Sequence, residues 1–147
     1  MEYQDRLFNK KNRASMDKII NNLPGGIIVF EMQENKIKTL FSNDGTYQLF
    51  GYSKEAFKTV FHSDVFEIVY QPELSPLQEE FYEANKNRES FEHGCRCFLN
   101  DVTLMWTYFR VNYIGTEDGR NVFVGLITDS SKERLLEEKS RINEEMY

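Results

Sequence analysis

With 147 residues, 40% of them hydrophobic and 14% aromatic, the chain has material for one compact domain and short appendages. A net charge of −6 excludes a general nucleic-acid surface, which needs a basic stripe. No apolar run nears the ~20 residues that span a bilayer, and Ile27 to Phe30 is too short for a signal-peptide core, so a cytoplasmic location and no membrane contact by this chain are expected.

Met16, Ile19, Ile20 and Leu23 recur at helical spacing, which predicts a flanking helix within residues 1–23. Pro24-Gly25-Gly26 stops it. Ile27-Ile28-Val29-Phe30 reads as a buried strand. Glu34-Asn35 is a turn, and Lys36 to Phe41 is a second strand with Ile37, Thr39 and Phe41 on one face. Asn43-Asp44 caps a short helix closed by Gly51, and Ser53 caps another. Ser75-Pro76-Leu77-Gln78 is a capping box, opening a helix with Leu77, Phe81 and Ala84 on one face. Three strands follow: Ser90 to Leu99, Leu104 to Ile114 and Arg120 to Thr128, with turns at Asn100-Asp101 and Asp118-Gly119. Ser130 and Glu133 form a capping box for a charged helix over residues 130–147. Short connections make the last three strands an antiparallel meander, and the first hairpin must join it to bury its apolar faces.

Cys95 and Cys97 share one face of a strand about 6–7 Å apart, at the limit of disulfide geometry, so both are read as free thiols. His93 has the same parity, but ligands spaced along an extended strand do not converge on one ion, so no metal is expected. The sequence has no Gly-rich phosphate loop, nucleophile elbow or HExxH motif, and the domain is not expected to be an enzyme.

Three local motifs carry a family resemblance. Asn43, Leu49-Phe50-Gly51-Tyr52-Ser53 and Glu55 form the first. Ser90 to Trp106, with Arg96 and Trp106, forms the second. Val124-Gly125-Leu126-Ile127-Thr128-Asp129 followed by Lys132-Glu133-Arg134 forms the third. Together they resemble the PAS domain, the sensory box of bacterial signalling proteins. The resemblance implies an α+β fold: a five-stranded antiparallel sheet, short helices inserted after strand 2, and flanking N- and C-terminal helices. It divides the chain into a flanking helix (1–23), the PAS domain (24–129) and a C-terminal signalling helix (130–147). Tyr70-Gln71-Pro72-Glu73-Leu74 replaces the usual "HPDD" turn, and Asn100-Asp101 replaces the hairpin "DG".

Cys95-Arg96-Cys97-Phe98-Leu99-Asn100 looks like the "NCRFLQ" motif of flavin-binding light-oxygen-voltage domains. There the Cys follows the "GYS" element closely; here Cys95 lies about forty residues beyond it, on a strand. The expected middle helix, Pro76 to Asn87, contains no His for haem. Neither flavin nor haem is therefore expected, and the cofactor is left open. By parity within the family pattern, Cys95, Cys97, Thr107, Phe109, Phe123, Gly125 and Ile127 turn inward toward a small-molecule pocket, with Phe41 and Asn43 at its mouth. A packed core without ligand remains the alternative for this face.

Leu135, Ile142 and Met146 make a d, d, a pattern with Lys139 at the intervening a position. The expected assembly is a parallel homodimer through the terminal helices. The expected function is a sensor that binds a small ligand or partner and signals through the C-terminal helix, with Thr128 and Asp129 at the junction. A diguanylate cyclase or histidine kinase is the expected output domain, the cyclase preferred. Two alternatives stand beside it: a ligand-free dimerisation scaffold, and a small cone-shaped α+β enzyme with a cavity active site.

Overall fold

The computed structural model describes residues 25–61, 65–99 and 103–145. The expected N-terminal helix, the Asn100-Asp101 turn and Met146 lie outside the described residues.

Alternation organises the first strand. In β1 (Gly26–Gln33), Ile28, Phe30 and Met32 are buried while Ile27, Val29 and Glu31 alternate with them at the partly covered face. Glu34 and Asn35 adopt positive φ (51° and 66°), the primed-turn geometry whose twist matches a hairpin. The chain returns as β2 (Lys36–Ser42). Three short helical elements follow: α1 (Asp44–Phe50), α2 (Lys54–Phe61) and a 3-10 turn at Val65–Ile68. A second 3-10 turn, Gln71–Glu73, runs directly into α3 (Leu74–Asn87). The strands β3 (Phe91–Leu99), β4 (Thr103–Glu117) and β5 (Arg120–Asp129) complete the sheet, and α4 (Ser131–Glu145) leaves it.

The sheet is antiparallel throughout, in the order β2-β1-β5-β4-β3. The first hairpin joins the meander through β1 against β5, as the burial of both faces requires. The β3 edge is not left bare: Tyr70 N donates to Arg96 O at 2.9 Å, and Val69 bridges Cys97.

Helices α1 and α3 close over one face of the sheet. Leu77, Phe81 and Ala84 of α3 are buried, as their spacing predicts. Phe81 is the hub. Its ring lies 4.9 Å from Phe91, 5.2 Å from Phe66 and 5.5 Å from Phe30, and Phe30 stacks on Phe123 at 5.5 Å.

Three expected details change. The helix α3 begins at Leu74, upstream of the Ser75 capping box; the preceding 3-10 turn supplies its entry, and Glu73 at the cap position spends its carboxylate on Arg96 instead. Strand β4 runs past Ile114 to Glu117 because a bulge at Ile114 keeps the pairing to β5 going, from Tyr113 with Phe123 to Gly115 with Val122. The third change, a bulge in β2, moves a predicted site residue and is described below.

Candidate functional site

Asn43 fixes where the helical layer meets the sheet. Its Oδ1 accepts from Ile27 N (2.8 Å), Thr46 N (3.1 Å) and Thr46 Oγ1 (2.9 Å), while Asn43 N donates to Ile27 O (3.0 Å). The side chain thus caps α1 and clamps it to β1 at once. It is completely buried in this role.

The inward set on the last three strands comes together. Cys95, Cys97, Thr107, Phe109, Phe123 and Ile127 are each no more than 1% exposed, and Gly125 is buried between Phe30 and Val111. Thr107 is its polar centre: Oγ1 donates to Cys95 O at 2.7 Å and lies 3.3 Å from Cys97 Sγ and 3.9 Å from Cys95 Sγ. Both cysteines are free thiols. The contact with Cys95, and then burial, push the Cys97 thiol far up, so it stays protonated. No carboxylate belongs to this set. His93 sits further along β3 with Nδ1 4.0 Å from Glu80. Among the described residues, no three His, Cys, Asp or Glu side chains gather as a metal site.

Phe41 does not join the inward set. Ile28 pairs with Ser42 and Phe30 with Thr39, so β2 carries an extra residue at Leu40. That bulge reverses parity: Phe41 lies opposite Val29 with 36% of its surface exposed, and Ser42 takes the position opposite inward-facing Ile28. Phe41 instead borders a cleft between β2 and α2. Nothing in the sequence announces this bulge, because Ile37, Thr39 and Phe41 alternate without interruption.

The exit to α4 is held at three points. Ser130 N donates to Trp106 O at 2.9 Å, and Asp129 Oδ1 accepts from Ser131 N at 2.8 Å. The Arg134 guanidinium lies 3.8 Å from the centre of the Trp106 ring. The capping contact therefore comes from Asp129, one residue before the predicted Ser130. Arg96 also covers Trp106, at 5.0 Å, and Tyr70, at 4.9 Å. Glu73 anchors Arg96 with 3.0 and 3.1 Å contacts to Nε and a 3.0 Å bond from Arg96 N, and that hydrogen bonding holds the guanidinium pKa above its ordinary value. Tyr70, Arg96, Trp106 and Arg134 form one continuous stack from the start of α3 to α4. Beyond it, α4 is exposed: Leu135, Leu136 and Ile142 keep 55%, 57% and 45% of their surface.

A twisted antiparallel sheet cupped by short helices, with its last strand running into a capped exit helix, is the α+β architecture of the PAS class. A family profile for the PAS fold matches residues 39–127. The chain belongs to the PAS family. Solved structures agree on the fold. The PAS domain of a protein from Colwellia psychrerythraea superposes with a TM-score of 0.64 at 21% identity, over 83% of this chain and 97% of that one. A light-oxygen-voltage protein from Rhodobacter sphaeroides gives 0.65 at 10% identity, over 83% and 68%. The N-terminal domain of a diguanylate cyclase with PAS/PAC sensor from Marinobacter aquaeolei gives 0.57 at 12%, over 74% and 98%. No match was found among curated protein sequences. No described helix is long and apolar enough to cross a membrane.

Proposed function

We propose that this PAS domain is the sensory module of a cytoplasmic bacterial signalling protein, converting a small-molecule or partner contact into a change in α4. The observation that carries the reading is the junction. Strand β5 ends at Asp129, whose carboxylate caps α4, and Arg134 rests on the sheet through Trp106. Any change in the twist of β4 and β5 is thereby felt at the first turns of α4. The output domain is a diguanylate cyclase or a histidine kinase, since PAS domains of similar fold come from proteins of both kinds. The inward face around Cys97, Thr107, Phe109 and Ile127, with Cys95, Phe123 and Gly125, is the sensing interior. Its thiols, hydroxyl and rings offer no carboxylate to catalysis and little to a flavin ring.

The exposed Leu135, Leu136 and Ile142 favour a homodimer through α4. That observation equally favours the scaffold reading, in which the domain only dimerises. The experiment is to measure output activity of the longest natural protein containing this chain, with Asp129→Ala and Arg134→Ala. Altered basal or stimulated output supports the sensory reading. Unchanged output in both variants, with intact dimers by sedimentation, leaves the scaffold.

A further inference from the structure

The cleft between β2 and α2 is the site in this molecule with unmet chemistry. It measures about 300 Å³, at the lower end of small-molecule sites. Its wall is apolar: Ile28, Tyr47 and Phe57 line it, and Tyr47 and Phe57 meet edge to face at 5.3 Å. Ser42 also lines it, turned inward by the bulge at Leu40. Its Oγ is buried and has no hydrogen-bond partner among the described residues. A buried hydroxyl in that state calls for a partner. At the rim, Lys54 and Lys58 stand one helical turn apart on the same face of α2. Neither makes an ion pair among the described residues, and no described carboxylate lines the cleft, in a chain whose net charge is −6.

The geometry points to a binding site for a small organic monoanion with a flat apolar body, such as an aromatic carboxylate. The ring lies against the apolar lining and the carboxylate meets the two ammonium groups. Neutral analogues lose the rim contacts, and inorganic anions lose the wall. The site rests on the sensory reading and goes beyond it, adding a ligand position at the sheet edge next to the sensing interior.

The test is a titration of the purified chain with phenylacetate and indole-3-acetate, and with phenylacetamide as the neutral control, followed by backbone-resolved NMR. Saturable shifts centred on residues 39–42 and 54–58 are expected. Lys54→Gln and Lys58→Gln should each weaken the carboxylates about two- to five-fold, the range of an exposed charge contact, and leave the amide unaffected. Both are surface substitutions, so folding is not at stake. Shifts centred on Cys97 and Thr107, no saturation by either carboxylate, or affinities that ignore both lysine substitutions overturn the site. The sensory reading fails separately. Binding in the cleft that leaves the α4 amides and Trp106 emission unmoved keeps the site and removes the relay. A different ligand that moves α4 without touching the cleft keeps the relay and removes the site.

Discussion

Phe81→Ala tests whether the cup of the sheet is filled. The ring is 1% exposed and meets three other rings at 4.9 to 5.5 Å, two of them edge-on. Core Phe→Ala substitutions cost about 3–5 kcal/mol. A fully enclosed ring with three aromatic neighbours falls in the middle or upper part of that range, so a loss of about 4 kcal/mol is expected. Domain stabilities lie at roughly 5–15 kcal/mol, so the variant should still fold. In a chain of this size each kcal/mol moves Tm by about 2–4 °C, and the melting point should fall by about 8–16 °C. Urea unfolding, followed by far-UV circular dichroism with the slope held equal to wild type, gives the free energy directly. The void should also take up a small apolar molecule such as benzene and regain part of the lost stability. A loss below about 1.5 kcal/mol would refute the reasoning, because truncation of a packed ring cannot cost so little. It would show an interior already open enough to hold a ligand.

Other substitutions check the posts and the junction. Asn43→Ala removes a helix cap and strands the Ile27 N–H, so a loss of about 3 kcal/mol is expected by chemical denaturation. Gly45→Ala puts a methyl 2.1 Å from the Gly25 carbonyl oxygen and should cost about 3 kcal/mol or prevent folding, seen as lost soluble yield. The Cys97 thiol, held protonated in the folded state, should resist a thiol reagent at pH 8 until the protein unfolds. Glu73→Gln should loosen α4, read as faster amide exchange there, through Arg96 and Trp106. Faster exchange confined to the segment around Tyr70 would show that the stack does not transmit.

The strands were legible because their chemistry is local. Ile28, Phe30 and Met32 alternate with less buried neighbours, and Glu34-Asn35 and Asp118-Gly119 suit the positive φ that tight hairpins need. The inward parity of Cys95, Cys97, Thr107 and Phe109 followed from the same period of two, once Trp106 fixed the register. What stayed hidden depends on partners distant in sequence. The Glu73 side chain looks like part of a helix start until Arg96, on the edge strand, claims it. Phe41 looks like a same-face neighbour of Ile37 and Thr39 until pairing with β1 inserts Leu40 as a bulge. The orphan Ser42 hydroxyl faces inward only because of that bulge.

The bulge also bears on how a signal could travel. Strand β1 pairs with β2 on one side and β5 on the other, so Ile28 is registered with both Ser42 and Gly125. Two strand spacings of about 4.8 Å separate the cleft from the strand that feeds α4. A packed sheet does not bend continuously under a small load; it needs an element with two arrangements at the far end. Helix α4 is the element that lies at that end. Its apolar residues are exposed, and the sheet holds it by one backbone bond, one carboxylate cap and one guanidinium on Trp106. Contacts of these kinds are each worth about 0.5–2 kcal/mol. Together the three hold α4 by about 1.5–6 kcal/mol, and each 1.4 kcal/mol of differential ligand affinity would change the ratio of held to released α4 ten-fold. Trp106 is the only tryptophan in the chain and stands at the hinge, so its emission reports this equilibrium without a label.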